Sequence, residues 1–199
     1  MKKKELELKI SKLDSNIERK SELEQYFTPS DVASGILYRA YTEADIAGKT
    51  VADLGTGNGI FAIGAYLLGA EKVYAIDIDA NMIELSQKNA RLYDVDIEFL
   101  NMDVANFNIS VDTVIMNPPF GSQNRGSDIP FLEKALSISK NFYTLFNYKT
   151  SDFLKKFIGE RGKLMWSEEI NFRVPHSFEF HRKEVKNIKA IVAKVMVCR

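Results

Sequence analysis

Four consecutive residues, Asn117, Pro118, Pro119 and Phe120, combine an amide, two rigid backbone carbonyls and an aromatic ring. They follow the apolar run Val114–Met116, so we expect them at the end of a buried strand. The Asn117 side-chain oxygen and the Pro118 carbonyl can accept the two hydrogens of a planar amine, and Phe120 can stack on the group that carries it. Such contacts aim the nitrogen lone pair at an electrophile without a general base. Two prolines can also simply end a strand, so the surrounding residues must decide.

A glycine-rich loop precedes this segment and indicates the electrophile. Gly55, Gly57 and Gly59 allow a tight turn and a close approach of the backbone to a ligand. A dinucleotide and S-adenosyl-L-methionine both bind such loops, but the dinucleotide pattern has its third glycine where this chain has Ile60. Asp53 would repel a pyrophosphate, whereas it suits the ammonium of a methionine group, directly or through a water. The loop therefore favours S-adenosyl-L-methionine, with Asp53, Gly55 and Gly57 in the binding site. Asn117 is assigned to the edge of this cofactor site as well as to the amine.

Acidic residues at two later strand ends extend the predicted cofactor site. Asp77 follows the glycines at the sequence spacing typical of a carboxylate that accepts both ribose hydroxyls. Ile78, the next residue, is also assigned to the cofactor site. Either cofactor has a ribose, so Asp77 does not discriminate between them. Asp103 is placed to accept a hydrogen bond from an adenine amine, and the Val104 N–H to donate to a ring nitrogen, although a helix cap or turn is the commoner role for such an aspartate. We assign Asp79 as the cap of the helix that follows it.

Alternating strand and helix patterns position these residues. Amphipathic spacing predicts a helix over residues 4–24, and start signals at 28–31 predict a second helix that runs to about Tyr41. Strands are predicted at 50–55, 72–79, 97–103, 111–117, 142–148, 164–174 and 187–198, and helices at 59–69, 80–94, 129–140 and 151–162. We therefore predict an α/β fold: a Rossmann-like, doubly wound seven-stranded sheet, mostly parallel with an antiparallel last strand, and with helices on both faces.

Composition narrows the class of protein. The chain has 199 residues, of which 45% are hydrophobic, and we expect one domain over 1–199, with N-terminal helices in 1–45 and the Rossmann-like catalytic core in 46–199. Cys198 is the only cysteine, which excludes a disulfide or a Cys-based zinc site within the chain. The N-terminus lacks the apolar stretch of a signal peptide, and residues 59–70 are too short and glycine-broken to cross a bilayer. We expect a cytoplasmic protein without a membrane partner.

The motifs resemble a known family. Asp53–Gly59, Asp77–Asp79, Asn101–Val104 and Asn117–Phe120, in this order, resemble class I S-adenosylmethionine-dependent methyltransferases that modify amino nitrogens. The stretches 23–28, 117–136 and 174–183 narrow the resemblance to the ribosomal-RNA adenine-N6 methyltransferases of the methyltransferase-like family in archaea and eukaryotes, which modify small-subunit rRNA. The similarity runs from about Leu23 to the C-terminus, most of the chain.

The resemblance implies roles for further residues. Gln25, Tyr26 and Thr28 would close over the methionine end of the cofactor, and Asn117–Phe120 would take a flipped adenine. Eukaryotic members of the family work with a small zinc-binding activator protein that adds to a sheet edge. The apolar segment 97–104 would be a suitable edge for such a partner.

Basic residues cluster at both ends of the chain, although the net charge is zero. We assign Phe180, His181, Arg182 and Lys183, in the connection between the last two strands, to the substrate RNA, with the charges on phosphates and the ring on a base. Arg125 lies in a glycine-rich polar loop that we expect to order over the substrate. His181 and the basic N-terminus are equally compatible with a solvated surface.

Three alternatives stay open at this point. A glutamine of a translation release factor or the exocyclic amine of guanine would suit the same four residues, but enzymes for these substrates usually carry a separate recognition domain. A nicotinamide-dependent oxidoreductase is disfavoured by Asp53 and Ile60. A binding module that has lost catalysis is disfavoured by the intact segment Asn117–Phe120.

Overall fold

Strands and helices alternate along the chain in the computed structural model, which describes residues 1–16, 27–120, 126–147, 151–175 and 185–198. The described helices are α1 (Lys3–Ile10), α2 (Ser30–Thr42), α3 (Ile60–Leu67), α4 (Ala80–Ala90), α5 (Ile129–Ile138) and α6 (Ser151–Ile158). The strands are β1 (Thr50–Leu54), β2 (Lys72–Asp77), β3 (Glu98–Asn101), β4 (Thr113–Met116), β5 (Asn141–Asn147), β6 (Gly162–Pro175) and β7 (Val185–Val197). None of the described helices combines the length and apolar character needed to span a bilayer.

The strands form one seven-stranded sheet in the order β3-β2-β1-β4-β5-β7-β6. β1 to β5 run parallel, and β7 is antiparallel to both of its neighbours, β5 and β6. The strand order reverses between β1 and β4, because β2 and β3 extend to one side of β1 and β4 and β5 to the other. The predicted fold class, including the antiparallel last strand, is confirmed.

Helices cover both faces of the sheet, as predicted. Leu37 of α2 packs with Ile115 of β4 in one core, together with residues of α1 and α3. Leu132 of α5 packs with Val114 and Met116 of β4 in a second core, together with residues of α6. Successive β4 side chains thus point to opposite faces and are all buried, which explains why the strand contains the continuous apolar run Val114–Met116.

The C-terminal end of α2 is fixed to the amino ends of β4 and β5. The hydroxyl of Thr113, the first residue of β4, donates to the Asp45 carbonyl at 2.7 Å. The Asp45 carboxylate accepts from the Tyr143 hydroxyl at 2.6 Å and pairs with Lys194 at 2.6 Å, and Lys194 also pairs with Glu43 at 2.8 Å. These largely buried charges are mutually paired, as buried charges must be. The N-terminal end of α2 therefore lies towards the carboxyl edge of the sheet.

The N-terminal helix is shorter than predicted, because α1 ends at Ile10 and does not continue through residues 11–16. The Asp14 N–H donates to Asn89 Oδ1 at 2.8 Å, and the Asp14 side chain accepts from the Asn16 N–H at 2.9 Å. These bonds replace the helical ones, so the prediction over this stretch is wrong. The rest of the predicted helix, 17–24, lies outside the described residues.

β6 and β7 pair beyond the end of β5. Asn147, the last residue of β5, pairs with Ala190, while residues 171–175 of β6 continue to pair with residues 185–189 of β7. Because β5 and β7 are antiparallel, this paired extension leaves the sheet at the carboxyl end of β5. It therefore projects from the same edge as the loops that follow β1, β2 and β4.

Candidate active site

The register of the sheet brings three predicted segments side by side at its carboxyl edge. Leu54 of β1 pairs with Met116 of β4 on one side and with the residue before Asp77 of β2 on the other. Gly55, Asp77 and Asn117 therefore lie at neighbouring positions, on strands about 4.8 Å apart. The strand order reverses between β1 and β4, which is where doubly wound sheets bind ligands. The fold thus places the glycine loop, Gly55–Gly59, beside the predicted amine-binding segment, Asn117–Phe120.

The loop after β1 is a tight turn held by main-chain hydrogen bonds. The N–H groups of Gly55 and Thr56 both donate to the Ile76 carbonyl at 2.8 Å. Gly57 has a φ of 56°, a left-handed conformation that favours glycine, and its N–H donates to Asp77 Oδ2 at 2.9 Å. The last bond links the loop after β1 to the end of β2, so the two predicted cofactor segments form one structure.

Asp53 is fully buried beneath this loop. Its Oδ2 accepts from the Thr56 hydroxyl at 2.7 Å and from the Ala62 N–H at 3.0 Å, so this oxygen ties β1 to the loop and to α3. Its Oδ1 is buried and has no hydrogen-bond partner among the described residues. Burial raises the pKa of Asp53 to about 7, against the two hydrogen bonds that lower it. The predicted contact with an ammonium stays a prediction, and the unsatisfied oxygen is the atom that would make it.

Asp77 lies at the rim of the site with both oxygens engaged by the backbone. Oδ1 accepts from the Asp79 N–H at 3.0 Å and Oδ2 from Gly57, and each oxygen has a second acceptor position. Burial is the main cause that raises the pKa of Asp77. Ile78 beside it is 57% exposed, so an apolar surface adjoins the carboxylate. Their contacts with a ribose and a base stay predictions.

Two further aspartates act as caps. Asp79 Oδ1 accepts from the Asn81 N–H at 3.2 Å at the start of α4, which confirms the predicted cap. Asp103 Oδ1 accepts from the Ala105 N–H at 2.9 Å and caps the short 3₁₀ helix Val104–Asn106. Asp103 therefore has the commoner role of such an aspartate, that of a helix cap. The predicted contacts of Asp103 and the Val104 N–H with an adenine stay predictions.

Asn117 leaves β4 with its side chain tied to the N-terminal part of the chain. Its Nδ2 donates to the hydroxyl oxygen of Thr28 at 2.9 Å. Thr28 is 6% exposed and lies just before α2. Pro118 is buried, and Phe120 packs partly buried against the core. Thr28, predicted to contact the cofactor, thus also contacts the predicted amine-binding segment.

Two aromatic residues that shape the site have no distinguishing sequence pattern. The Phe27 ring lies over Gly57, where a Cβ would stand 3.6 Å from it. The ring of Phe131 in α5 lies over Gly55, where a Cβ would stand 3.1 Å from it. Both residues resemble ordinary core aromatics in the sequence, because only the fold shows what they contact.

A buried asparagine joins the loop to the chain N-terminus. Asn89, which is 1% exposed, donates from Nδ2 to the backbone carbonyls of Asn58 at 2.9 Å and Asp14 at 3.0 Å. The Asn58 side chain donates to Ser15 Oγ at 3.1 Å. The segment 14–16 is thereby fixed to the glycine loop. Spacing could not predict this contact, because its partners are far apart in the sequence.

Several predicted site residues lie outside the described residues: Gln25, Tyr26, Arg125, Phe180, His181, Arg182 and Lys183. Their assignments stay predictions. Within the part of the chain that is described, no group of three or more His, Cys, Asp or Glu side chains could hold a metal ion.

The described residues suit S-adenosyl-L-methionine better than a dinucleotide. Gly55 and Gly57 present bare backbone, and the orphaned Asp53 Oδ1 calls for a cationic or donor partner. A pyrophosphate at this loop would face the carboxylates of both Asp53 and Asp77. The site is therefore suited to a positively charged nucleoside beside a bound amine.

Comparisons with known proteins agree with this geometry. A family model of ribosomal protein L11 methyltransferases (PrmA) matches residues 33–118, from α2 to the amine-binding segment. The rRNA N(6)-adenosine-methyltransferase METTL5 of Danio rerio is 36% identical over 95% of this chain and 96% of its own length. The uncharacterized protein MJ0284 of Methanocaldococcus jannaschii is 37% identical over 98% of this chain and 94% of its own. The crystal structure of PH1948 from Pyrococcus horikoshii, described as a proposed RNA methyltransferase, matches with a TM-score of 0.93 and 37% identity, covering 100% of this chain and 99% of that one.

The fold, the site and these relatives define an S-adenosylmethionine-dependent N-methyltransferase. The chain belongs to the METTL5 family of rRNA N6-adenosine-methyltransferases, whose members it matches along nearly its whole length. The resemblance inferred from the motifs and the predicted cofactor, S-adenosyl-L-methionine, are confirmed.

Proposed function

We propose that this protein methylates N6 of an adenine in small-subunit ribosomal RNA. The observation that carries the proposal is the pairing of β1 with β4, which sets the glycine loop beside Asn117–Phe120 at one edge of the sheet. A methyl donor held by the loop and an amine held by this segment would meet there. Relatives named as rRNA N6-adenosine-methyltransferases support adenine as the base. The small subunit is inferred from the resemblance of the motifs.

The chain's own residues act by positioning the amine. Asn117 Oδ1 and the Pro118 carbonyl accept the two N6 hydrogens, which directs the nitrogen lone pair towards the donor. Phe120 stacks on an adenine that has left its helix. Bound S-adenosyl-L-methionine supplies an electrophilic methyl group on a positively charged sulfur. The amine nitrogen forms the new N–C bond with its lone pair, the electrons of the broken C–S bond stay on sulfur, and the methylated nitrogen releases one proton to water.

We assign the donor to residues from the first three strand ends and from the N-terminal part of the chain. Asp53 faces the ammonium of the donor, and Asp77 accepts from its ribose hydroxyls. Asp103 and the Val104 N–H bind its adenine. Ile78 lies against the adenine ring, and Gln25, Tyr26 and Thr28 cover the methionine end. The contact of Thr28 with Asn117 supports treating 1–45 and 46–199 as one domain.

The paired extension of β6 and β7 supports a place for the RNA. It leaves the sheet at the catalytic edge, and Phe180–Lys183 lie between these two strands in the sequence. We propose that His181, Arg182 and Lys183 hold phosphates, that Phe180 stacks on a base, and that Arg125 contributes from the loop after the amine-binding segment.

A partner at β3 is part of the proposal. β3 is the last strand on one side of the sheet, and its residues are exposed or partly buried. A strand added there would satisfy its outer backbone groups. The family resemblance implies a small zinc-binding activator at a sheet edge, and we propose β3 as that edge. Co-purification followed by sedimentation analysis tests the partner. A cytoplasmic location is proposed because it is implied by the same substrate.

Label transfer from tritiated S-adenosyl-L-methionine tests the substrate class. We would offer small-subunit rRNA from cells that lack this gene, the same rRNA from wild-type cells, and a translation release factor. The proposal predicts label in the first RNA, little in the second because its site is already methylated, and none in the protein. Label in the release factor alone would show that the substrate is a glutamine side chain and not an adenine.

A further inference from the structure

The side-chain amide of Asn117 must present the correct atom to the substrate. An exocyclic amine donates hydrogen bonds, so Oδ1 has to face it, whereas Nδ2 would set a donor against a donor. The terminal torsion of asparagine is broad, so the residue alone does not select between the two orientations. Another group in the site has to hold the amide.

Thr28 makes the contact that pairs the amide in the required orientation. A hydroxyl can donate as well as accept, so the substrate amine disfavours the flipped amide, and Thr28 supplies the acceptor that Nδ2 then needs. Its oxygen accepts the hydrogen bond from Asn117 Nδ2 at 2.9 Å, so Nδ2 faces Thr28 and Oδ1 forms the other branch of the amide. Thr28 is buried, which shields the bond from competing water. Threonine is also stiff at its first side-chain torsion, so the hydroxyl position is well defined.

Both partners of this bond are held by rigid elements. Asn117 follows the fully buried β4, and Thr28 precedes Pro29, whose carbonyl accepts the Ala33 N–H in the first turn of α2. The other end of α2 is anchored at the opposite edge of the sheet through Asp45. The hydroxyl is therefore placed with respect to β4 by a helix whose C-terminal end is anchored to the sheet.

The same segment also contacts the cofactor loop. Phe27, the neighbour of Thr28, lies over Gly57. The two consecutive residues thus join the loop that holds the donor to the segment that holds the amine.

We propose that Thr28 is a positioning residue for methyl transfer: its hydroxyl holds the Asn117 amide with the carbonyl oxygen towards the substrate amine. This inference rests on the proposed function, because it assigns Asn117 to the amine. It adds to the role implied by the family resemblance, in which Thr28 covers the methionine end of the cofactor.

Replacing Thr28 by valine tests the inference, because valine has nearly the same shape and lacks the acceptor. We expect T28V to lower kcat about tenfold or more, a larger factor than the loss of affinity for S-adenosylhomocysteine that follows from the place of Thr28 at the methionine end. T28S keeps the hydroxyl and should recover most of the rate. A loss in the Kd with an unchanged kcat, or an equal loss of kcat in T28S and T28V, would overturn the proposal.

A second measurement does not depend on activity. The two side-chain amide protons of Asn117, assigned by their disappearance from the proton–nitrogen correlation spectrum of N117A, report the hydrogen bond directly. In T28V, the proton bonded to Thr28 should shift and exchange faster with water, whereas an unchanged signal would contradict the inference.

The control variant is T113V, at the other end of β4. Thr113 is also buried, and its hydroxyl donates to the Asp45 carbonyl. Its replacement should lower the melting temperature and leave kcat unchanged, so an equal kcat loss in T113V and T28V would indicate a general effect of stability.

N117A separates a failure of this inference from a failure of the proposed function. If N117A keeps full activity, the amine is not held by Asn117, and the role of Thr28 falls with it. If the wild type methylates a protein glutamine instead of RNA, the same variants on that substrate still decide whether Thr28 positions the amide.

Discussion

Acid should weaken the binding of S-adenosylhomocysteine through a single buried carboxyl group, that of Asp53. Burial raises the pKa of Asp53 to about 7, and its Oδ1 has no partner among the described residues. A ligand ammonium favours the ionised carboxylate, so binding at low pH must release the proton of Asp53. The weakening should therefore follow the ionised fraction of Asp53 in the free protein.

The size of the effect follows from this pKa. With a pKa of about 7, about one tenth of the free protein has an ionised Asp53 at pH ~6 and about three quarters at pH ~7.5. The Kd should then be about eightfold weaker at the lower pH. Isothermal titration in buffers of different ionisation enthalpy measures both the Kd and the released proton. The scan stays below pH ~7.5, because the ligand's own amino group loses its proton at about 8.

D53N is the matched control, because an asparagine oxygen can still accept from Thr56 and Ala62 but cannot ionise. Its Kd should be weaker than that of the wild type at pH ~7.5 and should not change down to pH ~6. Equal slopes of log Kd against pH in the wild type and in D53N would refute the reasoning, since the titrating group would then lie elsewhere.

The raised pKa of Asp53 also affects the stability of the free protein, but with the opposite dependence on pH. The folded state keeps a proton on Asp53 that the unfolded state loses above pH ~4, so this contribution to stability is present at low pH and is lost as the pH rises to about 7. The melting temperature of D53N relative to wild type should therefore rise between pH ~5 and pH ~8. A constant difference in calorimetry would show that Asp53 titrates normally.

Three further substitutions test other parts of the site. N117A should lower kcat about a hundredfold while the Kd for S-adenosylhomocysteine stays within about twofold, and equal losses in both would remove Asn117 from the amine. D77A should weaken cofactor binding at least about tenfold in titration calorimetry, because a charged acceptor for two hydroxyls is lost, and an unchanged Kd would remove Asp77 from the ribose. N89A should lower the free energy of unfolding by about 2 kcal/mol, since buried backbone groups of Asn58 and Asp14 lose their partners. An unchanged melting temperature in N89A would show that these bonds contribute nothing.

Patterns of local residues were enough to predict the sheet and the order of its motifs. Buried strands such as β4 contain continuous apolar runs, and glycines and prolines mark their ends, so the strand positions follow from neighbours in the sequence. The adjacency of Gly55 and Asn117 follows from the fold class, because doubly wound sheets place the loops after β1 and β4 together.

Local patterns failed where distant residues decide the structure. Leu13 continues the apolar spacing of Leu6 and Ile10 and is buried like them, but the chain leaves the helix after Ile10 because Asn89 binds the backbone of Asp14. Amphipathic spacing indicates which side chains are buried. It does not indicate which partners form hydrogen bonds with the backbone.

The contacts that complete the site are also long-range. Thr28 meets Asn117, and Phe27 meets Gly57, only because α2 is anchored against the sheet. The residue types permit many such pairs, and the fold selects among them. For Asp103, the sequence was compatible with both a cap and a ligand contact. The structure shows the cap, which is a local contact.

Nucleoside mass spectrometry of the methylated RNA tests the central claim most directly. Small-subunit rRNA from cells that lack this gene would be treated with the wild-type protein or N117A and S-adenosyl-L-methionine, then digested to nucleosides. We expect new N6-methyladenosine with the wild type and almost none with N117A. New N2-methylguanosine in place of N6-methyladenosine, or equal N6-methyladenosine from both proteins, would contradict it.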